Sequence, residues 1–191
     1  MNAILDAATH VFLERGFEKA TMTEIVSRSG GSKSLIYEQF GGKAGLFCAM
    51  MEQRCAGMME PLDAIVDAPG GPTEILTGFA HGFVAALSHP EVVGLQRVAA
   101  AEGNRNPDVA KAYFAYGHDI AYDRLTEYLL SINKSSYDAD ALRRLAIMFY
   151  AMIQGDSIER LVVGAVDSLD KDIERYIEGG VRWLTNQIGV Q

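Results

Sequence analysis

TMTEIVSRSGGSKSLIYEQFGGK, residues 21–43, divides into two short helical stretches around a glycine pair. Thr21 offers an N-cap oxygen, and Glu24, three residues on, completes a capping-box pattern. Ile25 and Val26 direct this helix at a preceding one. Gly30-Gly31 stops it and permits a tight reversal without a Cβ penalty. Ser32 caps the next helix, on which Ile36 and Phe40, four apart, bury together and leave Lys33, Ser34, Leu35 and Tyr37 outward. Gly41-Gly42 ends that helix, and another begins near Lys43. Two short helices joined by such a turn are a means of placing a helix in the DNA major groove.

Outward from this stretch the pattern stays helical. Upstream, Ile4, Ala7, Ala8, Val11 and Phe12 recur at spacings of three and four, with Gly16 as the expected end and Phe17 folding back. Downstream, helices are predicted at about 43–66, 73–87, 91–102, 107–132, 138–164 and 169–188. Asp67 to Pro72 is the clearest loop, and residues 103–107 and 133–137 are polar breaks. No strand pattern, repeat or low-complexity segment interrupts this order. The fold class is therefore all-α, with about nine helices.

Ile4 to Ala8, Phe12 to Phe17, Thr21 to Ile25, Gly30 to Phe40 and Lys43 to Phe47 together resemble the DNA-binding domain of the tetracycline-repressor (TetR) family. Arg97 to Glu102, Asn106-Pro107, Tyr113-Phe114 and Ile153 to Asp156 resemble the AefR-like type of C-terminal regulatory domain. The resemblance implies a three-helix helix-turn-helix head at 1–47 and a ligand-binding and dimerisation domain at 48–191. The chain departs from the family pattern at Gly31, where an apolar residue is common, and at Leu35, where a small hydroxyl is. Gln39 replaces an aromatic phosphate contact, and Glu38 adds a charge repelled by DNA. A family operator sequence therefore does not transfer.

Composition is compatible with this reading. Hydrophobic residues make up 49% of the 191, enough for a substantial core, and no apolar run reaches bilayer length. Two cysteines are too few for a disulfide framework and fit the cytoplasm. The net charge of −8 is unusual for a DNA binder, yet the first 50 residues carry five basic and five acidic side chains, so the deficit lies beyond the head.

Lys33 and Lys43 are the expected phosphate partners, since each cation displaces condensed counterions. Thr23, Ser32 and Tyr37 can donate to phosphate oxygens, Arg28 can pair with guanine or phosphate, and Ser34 and Leu35 lie where base edges are met. Gln39 completes the set by its place in the family pattern. Outside that constellation the same residues would read as ordinary solvent-facing positions.

The regulatory half is expected to hold a cavity lined by Met58, Met59, Leu62, Phe79, Phe83, Phe114, Tyr122, Met148 and Met152, with Leu95 and Val98 beside them. Gln96, His118 and Gln154 are its candidate polar fixings. Met and aromatic stripes also arise from plain core. A small apolar or aromatic effector follows from the scarcity of charge on these faces. Cys48 and Cys55, about 10 Å apart along a helix, cannot form a disulfide within it and read as small buried residues. The four histidines lack metal-ligand spacing, and no nucleophile stands in a recognised context, so no catalytic residue, metal or cofactor is assigned and the chain is not expected to be an enzyme.

Ile173, Tyr176, Ile177, Gly180, Val181, Leu184 and Ile188 form a continuous stripe on the last helix. A core face would give the same stripe; the resemblance favours a homodimer seam. DNA geometry asks for a dimer too, since two recognition helices must lie roughly 34 Å apart to read successive major grooves of a palindromic operator. The sequence thus predicts a ligand-responsive dimeric DNA-binding regulator, a repressor released by its effector, with no membrane association. The alternative is a small-molecule-binding helical protein that does not read DNA.

Overall fold

The computed structural model describes residues 2–66 and 69–190, without the side chains of 58–63 and 66. Among the described residues every regular element is helical: α1 (Asn2–Lys19), α2 (Met22–Ser29), α3 (Lys33–Phe40), α4 (Lys43–Val66), α5 (Pro72–Ser88), α6 (Pro90–Glu102), α7 (Pro107–Tyr113), α8 (Asp119–Ile132), α9 (Ala139–Gln154), α10 (Ser157–Val162) and α11 (Ile173–Ile188). These helices resolve into two compact units. One takes residues up to Gly57 together with Pro90–His118; the other takes Met58–His89 and the residues from Asp119 on. The functional boundary expected at 47/48 falls inside the first unit.

The first unit is organised by three rings. Phe17 stacks on Phe12 at 5.6 Å, and both meet Phe47 of α4 edge-on at 5.7 and 5.3 Å. Gly16, at φ 71° and ψ 171°, makes the kink that turns Phe17 back, and a further helical turn follows it to Lys19. Around the rings lie Ile4, Ala8 and Val11 of α1, Ile25 of α2 and Ile36 of α3, all buried. α6 closes the unit against α1 with Leu95 and Val98, and Gly94 admits the Leu13 side chain. Arg54 of α4 ties these helices together, donating to Asp6 Oδ1 at 2.6 Å and Thr9 Oγ1 at 3.2 Å and pairing with Glu91 at 3.1 Å.

The second unit packs α11 on α9 and α5, and α8 on α9. Its core includes Phe79 and Phe83 of α5, Leu125 and Leu129 of α8, and Leu142, Phe149, Tyr150 and Ile153 of α9. Two expected helices are interrupted. A π-helical turn at Phe114–His118 divides the predicted 107–132 helix, and Gly155, at φ 52° and ψ −131°, divides 138–164 into α9 and α10. The last helix begins at Ile173 rather than near 169.

The stripe on α11 divides. Ile177, Gly180, Val181, Leu184 and Ile188 are buried within the single chain, whereas Ile173 is half-buried and Tyr176 exposed. Periodicity shows that residues share a face; it does not show which chain covers it. Gly180 marks the closest approach: a Cβ there would stand 2.7 Å from Ile153 Cγ2, whereas one at Gly179 would meet nothing within 4 Å. Gly180→Ala is therefore expected to cost about 1–3 kcal/mol through overpacking. Gly179→Ala should instead gain up to about 1 kcal/mol from helix propensity. Thermal melts of the two variants check the opposite signs, and equal shifts would contradict the packing described.

Candidate functional site

α3 presents its side chains by being anchored at very few points. Ile36 is fully buried and Phe40 partly so; Lys33, Ser34, Leu35, Tyr37, Glu38 and Gln39 are all exposed. The helix is stopped at both ends by local chemistry. Ser32 Oγ accepts the Leu35 amide at 3.1 Å, and the Gly41 amide donates to the Tyr37 carbonyl at 2.9 Å with Gly41 at φ 71°. The first amides of the helix have no intrahelical acceptor, which suits them to an anionic oxygen. Tyr37 is 56% exposed, with one ring edge resting near Gly42. α2 is framed in the same way: Thr21 Oγ1 accepts the Glu24 amide at 3.2 Å, and Gly30, at φ 72°, closes its C-terminus. Thr23 is exposed on its first turn.

The carboxylate of Glu24 does not complete the capping box. It pairs with Arg28 at 3.0 Å and with Arg15 at 3.4 Å. Arg28 is also held in a two-pronged pair by Glu14, at 2.9 and 2.7 Å. Those hydrogen bonds draw the Glu14 carboxyl below its ordinary range and raise the guanidinium in turn. In this structure the Arg28 fork is engaged on α1, where it braces α1 against α2. Nothing in the sequence singles out Glu14, which lies fourteen residues away.

Lys43 also faces inward. Its Nζ donates to the Glu18 carbonyl at 3.0 Å and the Ala20 carbonyl at 3.2 Å, and lies 4.7 Å from the Phe17 ring centroid. Two of three ammonium donors thus hold the α1–α2 connection, leaving one for a phosphate. Lys33 has no such engagement among the described contacts and is exposed.

The expected cavity residues are divided between the two units. Phe79 and Phe83 are buried in the second unit, where Phe83 lies 4.0 Å from Tyr150 and Phe79 lies 5.7 Å from Tyr128. Tyr122 joins them, 5.7 Å from Tyr150 and half-buried, with the Arg143 guanidinium 5.8 Å from its ring centroid. Met148 and Met152 are instead 51% and 39% exposed on α9, turned away from the buried side that Phe149 and Ile153 share. Phe114, Gln96 and His118 belong to the first unit. Phe114 is exposed beside Tyr113 and His118 at the π-helical turn, while Gln96 is buried on α6. Gln154 donates to the Tyr150 carbonyl at 2.9 Å. Met58, Met59 and Leu62 fall among the side chains outside the described residues.

Sequence reading passes over Tyr150 itself. It sits in the run Ile147 to Ile153, where the signal is uniform apolarity, yet its phenolic oxygen is buried with no hydrogen-bond partner. Burial pushes its pKa up, so the group remains a neutral donor. The cysteines are structural: burial raises Cys48 and pushes Cys55 up to about 11, far from the thiolate range. Among the described residues, no cluster of His, Cys, Asp or Glu is placed to hold a metal, and no helix is long and apolar enough to cross a membrane.

Comparison with known proteins matches these geometries to a family. Residues 4–50 match the family model of bacterial regulatory proteins of the tetR family, and residues 74–186 match the C-terminal domain of AefR-like transcriptional repressors. The HTH-type transcriptional regulator BetI of Rhizobium meliloti is 27% identical over 184 residues, covering 94% of this chain and 88% of that one. The HTH-type transcriptional repressor AcnR of Corynebacterium glutamicum is 26% identical over 183 residues, covering 94% and 90%. The solved structure of the flavonoid-responsive regulator FrrA shares the fold, with a TM-score of 0.77, 24% identity and coverage of 98% of this chain and 95% of that one. With the head and most of the regulatory half both matched, the chain belongs to the TetR family of DNA-binding transcriptional regulators.

Proposed function

We propose that the chain is a dimeric repressor that holds a palindromic operator and releases it on binding a small apolar or aromatic molecule. Residues 1–47 serve as the reader; 48–191 bind the effector and pair the subunits. The observation that carries the DNA half is α3, a capped helix anchored by Ile36 and exposed over Lys33, Ser34, Leu35, Tyr37 and Gln39. AefR-like relatives are described as repressors, and FrrA is described as responding to flavonoids, which supports an aromatic effector here. Selection of bound sequences from random duplexes tests the reading. Enrichment of a two-fold symmetric site is expected; no enrichment even at low salt would favour the helical small-molecule binder that does not read DNA.

For pairing, the apolar surface that α9 and α11 leave uncovered is the favoured seam. Met148 and Met152 are exposed on α9, and Tyr176 of α11, 39% exposed, covers Gly155 at the end of α9. Joining two such faces would bury these groups twice over about one axis.

Two predictions follow from the engaged and free side chains. Lys33→Ala should keep the melting temperature and lower the salt dependence of operator binding by roughly one unit per subunit. Lys43→Ala should melt lower as well, because it releases two carbonyls and the Phe17 ring. Identical behaviour of the two in melts and salt titrations would remove the distinction. At the seam, Met152→Glu is expected to give a folded monomer, whereas Val181→Glu should unfold the chain by burying a charge in its own core. Sedimentation beside circular dichroism reads both; a Met152→Glu dimer moves the seam elsewhere.

A further inference from the structure

Tyr150 is fully buried in the second unit, and among the described residues its hydroxyl meets no hydrogen-bond partner. Such a group is costly, since folding strips it of water and returns no hydrogen bond. Phenylalanine would fill nearly the same volume without that cost. The phenol stands among rings whose planes are tilted to its own: Phe83 at 4.0 Å and 35°, Tyr122 at 5.7 Å and 37°, Phe149 at 5.4 Å and 55°. Tyr122 is only half-buried, so the cluster reaches from the interior toward the surface. The Arg143 guanidinium lies 5.8 Å from the Tyr122 ring centroid and is already paired with Asp119 and Asp123 at 3.0 Å each.

We propose that Tyr150 is the hydrogen-bond donor to the effector, and that the effector is a neutral, flat aromatic molecule bearing an acceptor such as a ketone oxygen. The assignment rests on the effector-controlled reading above and adds the ligand's chemical class. An acceptor answers the unmet O–H of this buried phenol, which burial keeps protonated. A carboxylate is disfavoured because the neighbouring guanidinium is already neutralised by two aspartates. A flat ring suits the site because the side chains packed around the phenol are aromatic and take a further ring in offset or edge contact.

The test uses 9-fluorenone and fluorene, which differ by a ketone in place of a methylene, on the full chain and its Tyr150→Phe variant. Calorimetry is expected to show about tenfold tighter binding of fluorenone by the unaltered chain, the size of one neutral hydrogen bond. Tyr150→Phe should keep the fluorene affinity and lose the preference. Without ligand, the variant should melt roughly 2–4 °C higher, as removal of an unsatisfied group implies. Equal affinities in the unaltered chain, or a preference that survives in Tyr150→Phe, overturns the assignment. A variant that melts lower also overturns it, because that marks a phenol already satisfied by buried water. Operator titration of the same samples keeps the two readings apart. A chain that holds its selected duplex but does not distinguish the two compounds loses the ligand class alone. A chain that holds no duplex loses the regulator reading, while a fluorenone preference would still support Tyr150 as donor.

Discussion

An eight-residue helix is marginal in water by itself, and α3 is such a helix. Its existence depends on Ile36, fully buried in the core of the first unit, and on the Ser32 and Gly41 caps. Burying one isoleucine contributes about 1.5–3 kcal/mol, and a good N-cap about 1 kcal/mol. Those contributions are enough to hold two turns only if the surface beneath is already rigid. The ring trio of Phe12, Phe17 and Phe47 makes it so, locking α1 to α4 behind α3. A side chain can therefore face outward along most of α3 because so little of the helix is needed to attach it.

That same attachment consumes charge. Arg28 is occupied by Glu14 and Glu24, and Lys43 spends two of its donors on carbonyls of its own chain. Exposed ion pairs contribute little to stability, typically up to about 1 kcal/mol, so the effect of the Arg28 brace is felt more in orientation than in folding energy. Its electrostatic consequence is larger. A head that is neutral in formal charge has even fewer cations free for phosphate than its composition suggests. On the proposed dimeric reading, helix amides and hydroxyls then carry more of the contact, and pairing of two heads becomes the main source of affinity.

How much of this was legible in the sequence varies with the kind of signal. Caps and turns were read directly, because Thr21, Gly30, Ser32 and Gly41 act on their immediate neighbours. The break at Phe114–His118 was not, since its one weak helix former is Gly117 and a π-helical turn inserts one residue without a punctuating proline. Faces were legible, but not what covers them. The stripe from Ile177 to Ile188 is apolar in the same way whether α9 of its own chain or a second copy lies on it. Met148 and Met152 show the same limit: apolar character suggests burial, yet in the single chain both are exposed beside the more strongly buried Phe149 and Ile153. Engagements between distant residues, such as Glu14 with Arg28, leave no local trace, and Tyr150 is hidden because its one polar atom is lost among six apolar neighbours.

Control of the operator by an effector is bounded by how differently the two states bind it. Driving a regulator from 99% bound to 99% released takes about 5.5 kcal/mol of differential affinity. One neutral hydrogen bond supplies about 0.5–1.5 kcal/mol, and one aromatic pair about as much beyond burial. With both in each of two subunits the total is roughly 2–6 kcal/mol, reaching the requirement only if nearly all of it is realised in the released state alone. A compound that satisfies Tyr150 equally in both states would bind without releasing anything. On the proposed reading, then, the phenol selects the effector, while release must come chiefly from ring surface that only one of the two states can bury.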